Sequence, residues 1–88
     1  MTRRDDPDRE KERQALGLRL QVLRTGARLK QHEAAKALKV NRNTLSAWEQ
    51  GTYELAALDV PKLAALYKVD VLVIHGLAPM PEIKVDSE

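Results

Sequence analysis

Residues 31–51, QHEAAKALKVNRNTLSAWEQG, hold two short apolar-faced segments separated by a break at Lys39-Val40-Asn41. The first runs from Gln31 to Leu38 and gathers Ala34, Ala35 and Leu38 on one helical face. The second runs from Arg42 to Gln50, gathers Leu45 and Trp48, and stops at Gly51. Asn41 is suited to cap it, because its side-chain oxygen can accept the backbone N–H of Asn43 or Thr44. Helices this short are marginal alone, so the pair must exist for the geometry it makes together. Crossing two helices steeply over a three-residue turn needs a small residue where the axes approach, and Ala35 stands there. Ala34, Leu38, Val40, Leu45 and Trp48 can fill the inner angle. The second helix is then left proud of the body, with Arg42, Asn43, Ser46 and Ala47 on its outer face and no acid among them.

Working outward, Leu16, Leu20, Leu23 and Ala27 recur at i, i+4, i+7 and i+11, which predicts a first helix ending at or close to Gly26. Residues 1–13 are charged without apolar positions and read as an N-terminal arm, a solvated tail or a frayed helical extension. Asp6-Pro7 could cap such an extension. Past a loop over residues 52–59, Val60, Leu63, Ala64, Leu66 and Tyr67 make a fourth helical face, with Pro61 in its first turn. VDVLVIHGL, residues 69–77, is harder to assign, since β-branched Val71, Val73 and Ile74 also suit a strand. Helical neighbours and a capping Asp70 favour a short fifth helix ending at Gly76. Pro79 and Pro81 forbid regular helix beyond it, and Glu82-Ile83-Lys84-Val85 alternates like a stray strand. The expected division is an arm at 1–13, a domain at 14–77 and a tail at 78–88.

Composition narrows the function. A chain of 88 residues holds one small core, cramped for a pocket enzyme with a cofactor, and no cofactor is expected. Without Cys there is neither a disulfide framework nor a thiolate metal site. With no Phe, and only Trp48, Tyr53 and Tyr67 as aromatics, the core must be Leu, Val, Ile and Ala, which favours packed helices. No apolar run approaches the roughly 20 residues that span a bilayer, and the charged N-terminus does not resemble a signal peptide. A soluble cytoplasmic protein with no membrane association is the expectation. His32 and His75 lie on different elements with no second ligand near them, so no metal is expected. Ser46 with His32 lacks the strained turn of a nucleophile, so catalysis is not expected either. The net charge is +2, but residues 14–54 carry seven basic against three acidic side chains. The positive charge therefore surrounds the quoted stretch, as a polyanion-binding face requires.

A DNA major groove is about 12 Å wide and admits one α-helix. The quoted stretch resembles a helix-turn-helix whose second helix reads DNA. The resemblance extends over Leu16 to Leu77, through LGLRLQVLRTGARLKQ, AAKALKVNRNTLSAWEQG and KLAALYKV, to the phage-repressor (Cro/CI-like, XRE) family. It implies an all-α, compact five-helix bundle with a central helix-turn-helix (phage-repressor-like), a flexible N-terminal arm and a C-terminal tail. It also implies a sequence-specific transcriptional regulator, expected to be a repressor, that binds double-stranded DNA. By position, Arg42, Asn43, Ser46 and Ala47 would face base edges. Gln31 would meet a phosphate at the start of the second helix, with Thr44, Gln50 and Thr52 along the backbone and Lys30 and Lys39 adding charge. Arg24 and Glu49 would form a structural ion pair. Two departures stand out: Lys39 occupies a turn position that is often Gly in the family, and Ala34 replaces a usual Leu. If the turn needs positive φ, Lys39 costs roughly 1 kcal/mol there.

The fifth helix is nearly all apolar, which suggests a homodimer contact through Leu72, Val73, His75 and Leu77. Two reading helices would then lie about 34 Å apart and match an inverted repeat. The alternative is a protein-interaction module, such as an antitoxin that covers a toxin partner through its arm or tail and regulates its own operon.

Overall fold

The structure is a computed structural model and describes residues 7–81. The first six residues of the arm and the alternating Glu82-Ile83-Lys84-Val85 lie outside the described residues. Among those described, five helices follow in order: α1 Pro7–Gly26, α2 Gln31–Leu38, α3 Arg42–Gln50, α4 Val60–Tyr67 and α5 Val71–Ile74. One 3-10 turn, Ala57–Asp59, breaks the expected loop before α4. The described residues include no strand. This is the compact five-helix, all-α architecture expected, and VDVLVIHGL is helical at its centre.

Four helices each give one large side chain to the centre: Leu20, Leu45, Leu63 and Ile74 are fully buried. Burying such a side chain is worth about 1.5–3 kcal/mol. α2 adds Ala34, Ala35 and Leu38, and the two alanines let its axis come close to its neighbours. Ala27, expected on the apolar face of α1, lies beyond the helix end and is exposed. α1 and α3 approach closely at Gly17. A Cβ built there would sit 2.4 Å from the Glu49 carbonyl oxygen and 2.5 Å from that of Trp48. α1 thus meets the last turn of α3 backbone to backbone, which requires glycine.

α1 covers 20 residues, so the boundary drawn after residue 13 falls inside a helix. Pro7 opens it where a missing N–H is no loss, and Asp8 and Glu10 in its first turn suit the helix dipole. DREKER, residues 8–13, contains no apolar side chain, yet polar contacts tie it to the loop after α3. Arg13 Nε donates to the Gly51 carbonyl at 3.2 Å, and Arg9 Nη2 donates to both carboxylate oxygens of Glu54 at 2.7 and 2.6 Å.

All five helices end the same way. A left-handed residue is followed by one whose N–H reaches back to the carbonyl five residues earlier. The five return bonds are Leu29 to Arg24, Val40 to Ala35, Thr52 to Ala47, Val69 to Ala64 and Leu77 to Leu72. Glycine supplies the left-handed residue twice, at Gly51 and Gly76; elsewhere it is Arg28, Lys39 and Lys68, at φ 63°, 61° and 60°. α1 ends at Gly26 as expected, with its left-handed stop two residues further on at Arg28. Each non-glycine stop is basic, and a cation at a helix C-terminus offsets part of the backbone strain. Leu29, Val40 and Val69 follow these three stops and pack against the core.

Candidate nucleic-acid interface

The α2–α3 unit is built from its caps inward. Glu33 Oε1 accepts the Lys30 backbone N–H at 2.8 Å and closes the first turn of α2. Lys39 turns the chain, Val40 is half-buried, and Asn41 Oδ1 accepts the Asn43 N–H at 2.7 Å to open α3. α3 then divides cleanly. Leu45, Trp48 and Glu49 are buried. At roughly 100° per residue, Arg42, Ser46, Gln50, Asn43 and Ala47 fall within an arc of about 140° on the other side. Arg42, Asn43 and Gln50 are exposed, Ser46 and Ala47 half-buried, and the first turn holds no acid. Gln50 Nε2 donates to Ser46 Oγ at 3.1 Å, which lays the longer side chain along the helix.

One carboxylate fixes how α3 sits. Glu49, 6% exposed, accepts Arg24 Nε at 2.6 Å, Arg24 Nη2 at 3.2 Å and Gln31 Nε2 at 2.9 Å. Arg24 Nη1 also donates to the Leu29 carbonyl at 2.8 Å. A buried charge is tolerable when it is paired and hydrogen-bonded on all sides, and here the partners come from α1 and α2. The sequence pairs Arg24 with Glu49 but gives no sign of Gln31 as the third member. Gln31, expected at a phosphate, is half-buried with one amide N–H committed to Glu49, and its second N–H remains. Tyr67 lies near this network: burial, and secondarily the Glu49 charge, push its phenol up to about 12. Its hydroxyl is buried and has no hydrogen-bond partner among the described residues.

The other residues expected to touch phosphate surround α3. Lys30 stands at the start of α2, Lys39 in the turn, and Thr44, Gln50 and Thr52 along and beyond α3. All but half-buried Thr44 are exposed. The four residues expected at a subunit contact are not brought together on one surface. Leu72 and Leu77 are 45% and 74% exposed and His75 is exposed, but Val73 is 8% exposed and packs in its own core. In a single helical turn, neighbouring Val73 and Ile74 face inward while Val71 and Leu72 face outward. Arg9, Arg13 and Glu54 were not expected near this surface. The available signal was the four-residue spacing of the two arginines, continuous with Leu16 and Leu20 on one side of α1.

The family model of the helix-turn-helix domain matches residues 15–74, about two thirds of the chain. The chain belongs to this family, which is a DNA-binding one. No match was found among curated proteins or solved structures. No helix of the described residues is long and apolar enough to cross a membrane.

Proposed function

We propose that this chain is a sequence-specific transcriptional regulator of the Cro/CI-like type, a cytoplasmic repressor that reads its operator as a homodimer. The observation that carries the reading is α3. A bare, acid-free first turn projects from a helix whose opposite side is locked by Leu45, Trp48 and Glu49. Arg42 suits guanine through N7 and O6, and Asn43 suits adenine through N6 and N7. Ser46 and Ala47 limit how closely the helix approaches the base edges. Lys30, Gln31, Lys39, Thr44, Gln50 and Thr52 would hold the phosphates on either side, setting register without reading sequence. Exposed Leu72 and Leu77, joined by the 2.8 Å return bond between their backbones, are the apolar surface a second copy would cover.

The test is selection of a preferred duplex from a random pool, followed by gel shifts with the selected and single-base-altered duplexes. Arg42→Ala should lose about 1–3 kcal/mol of discrimination at one base pair, with melting unchanged because the side chain is exposed. A variant that keeps the parent's affinity and preference refutes the role. If the parent retards no duplex at all, the protein-interaction reading takes its place.

A further inference from the structure

We infer that the first two turns of α1 form a second DNA-backbone contact, in which Arg9 exchanges Glu54 for a phosphate. The inference rests on the proposed reading of α3. Its first support is position. Arg13 is bonded to the Gly51 carbonyl and Arg9 to Glu54. A Cβ at Gly51 would lie 2.8 Å from Gln14 Cα. The start of α1 therefore runs along the edge where α3 ends, beside Gln50 and Thr52. A phosphate strand crossing those two residues passes the same edge.

The second support is the distribution of charge around the helix. Arg9 and Arg13, four residues apart, share a face turned toward the end of α3. Asp8 and Glu12 lie together on another side, and Glu12 lines a cleft with Arg19, His75 and Gly76 next to α5. Glu10 and Glu12 border the basic face on its two sides, each about 60° around the helix from the nearer arginine, and both are exposed to solvent.

The third support is the state of the ion pair. Its side chains are 52% and 59% exposed, and the Arg9–Glu54 contact is 2.6 Å. An exposed pair of this kind is held weakly. Duplex DNA presents a phosphate charge about every 1.7 Å of its axis, and a guanidinium takes phosphate oxygens with the geometry it uses for a carboxylate. Glu54 is a partner of Arg9 in the free protein and yields it where phosphate is dense.

The experiment compares Arg9→Gln, Arg9→Lys and Lys11→Gln with the parent on the selected duplex and on an unrelated one, each titrated with salt. Lys11 stands on the opposite side of α1, so its neutralisation controls for net charge. Arg9→Gln should flatten the slope of log affinity against log salt by about 0.9 per bound protomer, equally on both duplexes. Lys11→Gln and Arg9→Lys should keep the parental slope. If Arg9→Gln also keeps it, or if Lys11→Gln flattens it as much, the inference is overturned. Arg42→Ala, run alongside, then reports whether the reading of α3 still stands. A parent that binds neither duplex overturns both.

Discussion

Replacing Lys39 with glycine should reveal how much strain the turn holds, and the answer should depend on salt. Lys39 sits at φ 61°, ψ 41°, with its N–H directed back to the Ala35 and Lys36 carbonyls. A left-handed L-residue costs roughly 1–2 kcal/mol, which glycine removes. Two terms oppose the gain. Glycine frees the unfolded chain, at about 0.4–1 kcal/mol. The lost cation gives up about 0.3–1 kcal/mol at the end of α2, a term that salt screens. At low ionic strength the terms nearly cancel. In about 1 M salt, where the Debye length is near 3 Å, roughly 0.8 kcal/mol of stabilisation should remain. That corresponds to about 3–6 °C in a domain of this size. Thermal melts of Lys39→Gly at both ionic strengths give the comparison. Lys68→Gly is the internal control, since Lys68 ends α4 at φ 60°, ψ 47°. Both variants should gain on the parent as salt rises. A Lys39→Gly protein less stable than the parent in high salt, or a Lys68→Gly that moves the opposite way, would refute the strain argument.

Gly17→Ala sets helix propensity against packing. Alanine gains about 1 kcal/mol in a helix, but its Cβ would meet two backbone oxygens at 2.4 and 2.5 Å. Overpacking costs about 1–3 kcal/mol, and backbone cannot swing aside, so urea unfolding should show net destabilisation; a variant as stable as the parent contradicts the close approach. Tyr67→Phe removes a buried hydroxyl that has no partner among the described residues, so it should melt at or above the parental temperature. A loss of more than about 1 kcal/mol would mean that the hydroxyl makes a bond after all. Tyr67 is held neutral to about 12, against an ordinary value of 10. Above pH 10 the unfolded chain therefore releases a proton that the folded chain keeps, and stability falls as pH rises toward 12. Equilibrium unfolding across that window should show a smaller fall in Tyr67→Phe than in the parent.

The central pair of helices was legible to the residue, because local rules agree there. Asn41 caps, Gly51 stops, and Ala34, Ala35, Leu38, Leu45 and Trp48 mark the inner sides. Elsewhere the local signal was silent or shared. Lys39, Lys68 and Arg28 end helices without glycine, since the strain is small enough for tertiary packing and the helix dipole to offset. Those stops were visible only as a basic residue followed by an apolar one. The start of α1 has no apolar periodicity, and it is held by Arg9 and Arg13 reaching partners 45 and 38 residues away. No window along the chain can show that. The same holds for Gln31, whose hydrogen bond to Glu49 depends on how α2 crosses α3. Val73 and Leu72 differ only in where one short turn points, and hydrophobicity alone gives no direction.

The two sides of α3 have no residue in common. Leu45, Trp48 and Glu49 answer to the interior, while Arg42, Asn43, Ser46, Ala47 and Gln50 answer to whatever lies outside. The outer row can therefore change while the scaffold beneath it stays as it is. Exchanges at exposed Arg42, Asn43 and Gln50 leave the interior contacts untouched, whereas half-buried Ser46 and Ala47 accept a narrower range of sizes.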